Sequence, residues 1–377
     1  MNRSDIFWQT YLNLEKELLD VSKFIYLTDS RNGQLETFSP HIADLLVRTC
    51  IEIEAISKEL YFDYGGEKAR GDSALYFDED CLKLIDKKCK THKKVVMVTC
   101  PYFDFSKEEN QSFRPLKEAH KRQGTDWERA YQALKHDRYS SINQGTVKNF
   151  IHALGALYLL NIYYRDVRMT SKFLDVGNLD LSLGSSIFSV KQPDYGYVLS
   201  IVNNQDIADI LESKDSPFIL KYTDSYYRQV LDANKTMAEQ MQEYWSVQPE
   251  LQEEAFVHQF LQAEDAAKKN PQRRYFNPIQ ELCKYRLNKR VPASLPFEER
   301  KRLFLSSPEW SGRIRKQNNH LKEDELTEAN IQSEIDLAGV FAGMELQQRF
   351  ESVKMNKAFN EGYCELVLDK GNVRYKQ

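Results

Sequence analysis

The stretch Asp126-Trp127-Glu128-Arg129-Ala130-Tyr131-Gln132-Ala133-Leu134-Lys135-His136-Asp137-Arg138, with residues 145–164 (GTVKNFIHALGALYLLNIYY) close behind it, decides how this chain is to be read. Its first part predicts a short helix whose end is crowded with cations. Arg129 and His136 stand seven positions apart. That is about two turns, so they share a face and differ by roughly 10 Å in height. A guanidinium beside an imidazole that exchanges protons near neutrality suits work on a phosphodiester. In one chemistry that fits, His136 takes the proton from a ribose 2′-hydroxyl while Arg129 holds the phosphate as charge builds on it. The plainer reading is a helix end with solvated basic residues, since cations are favoured near a helix C-terminus.

Upstream of this segment the pattern is helical. Residues 6–27 (IFWQTYLNLEKELLDVSKFIYL) repeat apolar positions at three and four, which predicts an amphipathic helix. Asn32-Gly33 marks a turn. Ser39-Pro40 opens a second helix to about Tyr61, with Ser39 as N-cap and Pro40 in the first turn. Ile42, Leu45, Leu46, Ile53 and Ile56 supply its buried stripe. A short helix is expected over Asp78 to Lys90 and a β-like run over residues 95–98. Helices near 127–139 and 145–164 complete an antiparallel bundle of about four or five.

After Arg168 the pattern changes. Residues 179–183 and 187–190 alternate like strands about Gly184, 197–202 reads as a third strand and 218–220 as a weaker one, together a small β-meander. Residues 223–246 and 249–269 read as helices separated at Pro249. Five prolines between Pro271 and Lys316 predict an irregular segment, and 326–361 reads as a long final helix, broken at most near Gly343. The expected fold class is mainly α. A helical bundle over 1–168 is followed by a β-containing connector over 169–222. A helical C-terminal region over 223–377 then carries the basic irregular segment 273–316.

With 377 residues, 41% of them apolar and 12% aromatic, the chain can build real cores in two domains. A net charge of −4 excludes a uniformly basic surface for nucleic acid, though not a local patch. Six scattered cysteines and an N-terminus without a signal-peptide apolar region predict free thiols and a cytoplasmic setting. The longest apolar run, Phe150 to Tyr164, is short and interrupted by His152 and Asn161, so no membrane partner is expected. No P-loop, dinucleotide fingerprint, nucleophile elbow or carboxylate metal cluster is present, and no cofactor or metal is expected.

Three further groupings carry chemistry. Between Arg273 and Lys316 twelve cations face four anions, interleaved with Tyr275, Phe276, Tyr285, Phe297, Phe304 and Trp310. Such a segment can track phosphates and stack unpaired bases, or it can dock on an acidic surface with its aromatics in a core. Cys81, Cys89, His92 and Cys100 are soft ligands, but they lack the two close pairs usual in zinc sites, and buried free cysteines explain them equally well. On the second helix Arg48 and Glu52 form an i, i+4 pair. Glu52 is read either as a surface partner of Arg48 or as an inward carboxylate that orients His136. His152 reads as a partly buried structural histidine.

The arrangement W-x-x-A-Y-x-x-x-K-H-x-R, the Ala/Leu-rich helix after it and then Gly184-Ser185-Ser186-Ile187-Phe188 resembles bacterial helical-bundle proteins of the HEPN superfamily, over roughly residues 1–190. Arg129-x6-His136 is similar to that superfamily's R-x(4–6)-H ribonuclease motif at its longest spacing. The resemblance implies a metal-independent endoribonuclease acting on RNA as a homodimer, the two Arg/His helices facing across a cleft. His136 would be general base or acid, Arg129 the transition-state stabiliser, and Lys135 and Arg138 the phosphate positioners, with Arg48 and Glu52 alongside. It also implies bacterial anti-phage defence or a toxin–antitoxin setting, the C-terminal half docking a partner protein or antitoxin. Where the motif usually has a polar residue after its Arg, this chain has Ala130. That favours the second expectation, a non-catalytic module binding RNA, nucleotide or a protein partner.

Overall fold

Side-chain caps start the principal helices. In α2 (Pro40–Asp63) the Ser39 hydroxyl accepts from the Ile42 amide at 3.1 Å, and Pro40 fills a first-turn position whose amide has no helical partner. In α5 (Asp126–His136) Thr125 and Glu128 form a reciprocal capping box. Thr146 caps α7 (Val147–Tyr164) through the Asn149 amide. The computed structural model describes residues 3–30, 33–121, 124–170, 180–193, 213–269, 277–310, 323–350, 362–371 and 373–375, and within them the chain is mainly helical.

The helix α7 is apolar around most of its circumference and is buried accordingly, with Phe150, Leu154, Leu157 and Tyr158 fully inaccessible. Around it pack α1 (Arg3–Val21) through Tyr11, Leu14 and Leu18, α2 through Leu45, Leu46, Ile53 and Ile56, and α5 through Trp127, Tyr131 and Leu134. The first helix stops at Val21, short of the expected Leu27, because the Leu27 carbonyl accepts from the Asp104 amide and that stretch joins a loop-to-loop pairing. Residues 77–82 are wound as a π-helix before α3 (Lys83–Cys89). Two further one-turn helices, α4 (Glu108–Gln111) and α6 (Arg138–Ser141), complete this part.

Two small antiparallel sheets take the place of the expected meander. In the first, β1 (Val96–Val98) lies between β2 (Ser112–Phe113) and β4 (Phe188–Val190), so that Val96 faces both Phe113 and Val190. In the second, β6 (Cys364–Leu368) lies between β3 (Met169–Thr170) and β5 (Phe218–Tyr222). Residues 180–183, read from sequence as part of a strand, form a turn. The Asp180 carboxylate there accepts from the Ser182 amide and hydroxyl, and such local bonds compete with a ladder. The strand expected over 197–202 lies outside the described residues. The Gly184–Phe188 motif is anchored to α1, since buried Glu15 accepts from the Ser185 hydroxyl and from the Ser186 amide at 2.8 Å.

The chain divides into two compact units, residues 1–226 with 356–377, and residues 227–355. The second unit contains α9 (Glu254–Lys269), α10 (Pro278–Arg290), α11 (Phe297–Leu305) and α12 (Ile331–Gln348), and most of α8 (Asp224–Ser246). The segment expected to be irregular thus holds two helices. Pro278 sits at the start of α10 behind an Asn277 cap, and Pro296 precedes α11, so these prolines open helices instead of breaking them. Likewise α12 continues through Gly343. A Cβ there would lie 2.6 Å from the Gln280 Cα, and one at Gly339 would lie 2.7 Å from the Lys284 Cα, so both glycines let α12 lie against α10. Phe304, Trp310, Leu326 and Ile331 belong to this unit's own core.

Candidate functional site

The capping box fixes where α5 begins and therefore which side chains share a face. Glu128 is buried, accepting from the Thr125 amide at 2.6 Å and from its hydroxyl at 2.9 Å. Burial pushes its carboxyl up to about 7, against the pull of those two bonds. Trp127 is buried with its indole N–H on the Pro115 carbonyl at 3.0 Å, and Ala130 and Tyr131 are buried beside it. The opposite side of α5 is exposed and carries Arg129, Lys135 and His136, with Arg138 and Tyr139 just beyond its end.

The cations are not equally available. The Arg129 guanidinium donates to the Gly124 carbonyl at 2.9 Å and pairs with Asp126. Arg138 pairs with Asp44 of α2. Lys135 is 3.8 Å from Glu54 and 5.3 Å from the centre of the Tyr131 ring. His136 is exposed and is held by no side chain among the described residues. Arg129 and His136 therefore share an exposed face of one helix, each in its own surroundings.

The expected α2 partners are placed differently. Arg48 is exposed and Glu52 half-buried; burial raises the Glu52 carboxyl above its ordinary value while the Arg48 charge opposes it. The carboxylate that meets α5 is Glu54, which accepts from the Tyr131 hydroxyl at 2.9 Å. Burial, with this bond and the charge of Glu54, raises the Tyr131 phenol well above its usual value. The stripe of α2 does not separate the two carboxylates, since Glu54 stands between buried Cys50 and Ser57 and Glu52 between buried Thr49 and Ile56 at helical spacing; the choice is made by where Tyr131 of α5 packs.

Among the described residues, the other groupings are committed to structure. Lys284 pairs with Glu281, Arg286 with Glu250 at 2.8 Å, Lys289 with Glu253 and Arg290 with Glu309. Phe304 and Trp310 are buried, while Arg273, Arg274, Tyr275, Phe276, Arg313, Arg315 and Lys316 lie outside the described residues. Cys81, Cys89 and Cys100 are buried thiols, and His92 hydrogen-bonds Asp86 at 2.7 Å. Among the described residues no three His, Cys, Asp or Glu side chains converge as metal ligands, and no helix is long and apolar enough to cross a membrane. No family model, curated protein or solved structure matches this chain.

Proposed function

We propose that the chain is a metal-independent endoribonuclease of HEPN type whose centre is the exposed face of α5. The observation that supports this reading most is His136, an exposed imidazole with no side-chain partner among the described residues, beside Lys135 and on the face of Arg129. In the proposed reaction His136 accepts the ribose 2′-hydroxyl proton and the 2′-oxygen attacks phosphorus in line. The P–O5′ bond breaks, the 5′-oxygen takes up a proton, and a 2′,3′-cyclic phosphate remains. For Arg129 to meet the phosphate it must exchange Asp126 for the substrate, an exchange of one anion for another. A homodimer in which two such faces meet would supply a second Arg/His pair. The biological setting we attach to this reading is bacterial defence or a toxin–antitoxin pair, with a partner protein on the C-terminal region.

One observation favours a second reading, a non-catalytic module. Arg129 and Arg138 are already neutralised by Asp126 and Asp44, which is what a surface without a phosphate ligand would show. Incubation of the purified chain with end-labelled single-stranded RNA and bulk tRNA in EDTA decides between them. Cleavage with cyclic-phosphate ends by the wild type, lost in His136→Ala with an unchanged melting curve, is the expected result. No cleavage by the wild type at any protein concentration sinks the ribonuclease reading.

A further inference from the structure

Three aromatic rings in the first unit form a ladder that ends at a cavity. Phe188 of β4 meets Phe113 of β2 edge-to-face, with centroids 6.2 Å apart, and Phe113 stacks on His152 of α7 at 4.3 Å with the planes 13° apart. The ladder can lie against α7 because residue 155 is glycine; a Cβ there would stand 2.8 Å from the Phe113 ring. Phe113 is thus covered by Phe188 and by His152. His152 has Phe113 on one face and, among the described residues, no ring on the other. His152 also lines a half-open groove of about 690 Å³, bounded by the β1–β2 end of the first sheet and by Lys117, Lys191 and Asp215.

The groove's polar groups are sorted by charge and by commitment. Arg114 and Lys191 share Asp215, at 3.2 and 2.7 Å, and so neutralise much of one another's demand for a partner. Lys117 has no carboxylate partner among the described residues, and neither Glu108 nor Glu109 has a cation. The imidazole of His152 has no hydrogen-bond partner there either. Burial holds it far below the usual histidine value, at about 4, so at neutral pH it is an uncharged ring with one donor and one acceptor on its edge.

We propose that this groove binds a nucleobase carrying a 5′-phosphate, the base against His152 where that ring lines the groove and the phosphate near Lys117. An uncharged aromatic ring is a platform for a π-face, and a groove of this volume accommodates a mononucleotide. The two acceptor carboxylates of Glu108 and Glu109 select bases with an exocyclic amino group over uracil. The same chemistry is presented by a free nucleotide and by the 5′ end of an RNA chain. This inference rests on the ladder and the groove and does not depend on Arg129 or His136.

The test is calorimetric titration of the whole chain with AMP, adenosine, CMP, UMP, inorganic phosphate and a 5′-phosphorylated RNA hexamer. AMP and CMP are expected to bind, with UMP and phosphate at least several-fold weaker. Loss of stacking in His152→Ala is expected to weaken AMP about tenfold. His152→Phe, which keeps a ring on the ladder, is expected to restore it, and Lys117→Glu to weaken AMP but not adenosine. Binding of the hexamer alone assigns the groove to an RNA end; binding of AMP assigns it to a free nucleotide. Absence of binding by every probe at about 5 mM overturns the proposal. So does binding that is indifferent to both His152→Ala and Lys117→Glu in variants that melt as the wild type does. His136→Ala is expected to bind AMP normally, so a failed ribonuclease assay leaves this result standing, and the reverse holds too.

Discussion

At the residue scale the most informative group is Glu128, because one carboxylate both starts α5 and titrates in a physiological range. Its folded value of about 7 lies above an ordinary glutamate's, so between the two values the folded chain holds a proton that the unfolded chain has released. Stability from this group is therefore fully present near pH 4 and is lost as the pH rises through 7. The difference is about 3 kcal/mol by linkage. In Glu128→Gln the slope of unfolding free energy against pH from 5 to 7.5, measured by urea titration, is expected to flatten. An unchanged slope would mean that Glu128 is not its source. The placement of Arg129 and His136 on one face was legible in the sequence, since helical period fixes it. The partner of neighbouring Arg138 was not, because Asp44 meets it only through the packing of α2, 94 positions away in the chain. Ala130 shows the converse. It departs from the resembled motif, and the structure buries it among core side chains, where a polar residue would need a partner.

At the scale of elements, caps and apolar stripes carried the reading of α1, α2, α5 and α7, and failed where a strand had few residues to declare itself. The alternation Cys364, Leu366, Leu368 is a β pattern of only five residues, and its partners lie at 169–170 and 218–222. No local signal announces such distant pairing. The residue just past β6 matters as much as the strand itself. Asp369 is fully buried against fully buried Lys94, at 2.6 Å, and also accepts from the Ser213 and Gly371 amides. Burial pulls the Lys94 ammonium below the usual lysine value while Asp369 opposes the shift. Removal of one member leaves the other charged and dry, so Asp369→Ala is expected to cost about 3–5 kcal/mol. The double variant Lys94→Met/Asp369→Leu is expected to recover most of that loss in chemical denaturation. A double variant no more stable than Asp369→Ala would refute the pairing as the cause.

At the scale of the whole molecule, the second unit interrupts the first, which is left at residue 226 and resumed at 356. The two sides of the interruption meet within the first unit, where the Thr223 amide donates to the Tyr363 carbonyl at 2.7 Å and the rings of Tyr226 and Tyr363 stack at 4.5 Å. The second unit has its own core and its own ionic network around Arg286, which binds Gln248, Glu250 and Tyr244. A polypeptide of residues 227–355 is therefore expected to be helical by circular dichroism and to melt cooperatively; a featureless melt would deny it independence. The interruption also sets an order of events during synthesis. Lys94 emerges from the ribosome 275 residues before Asp369, a gap of tens of seconds at about 5–20 residues per second. Throughout that interval the nascent bundle carries an ammonium it cannot bury at low cost, and β5 lacks its neighbour. Products of translation interrupted before Asp369 would stay in that state, open to proteolysis, because the carboxylate that neutralises Lys94 has not yet been made.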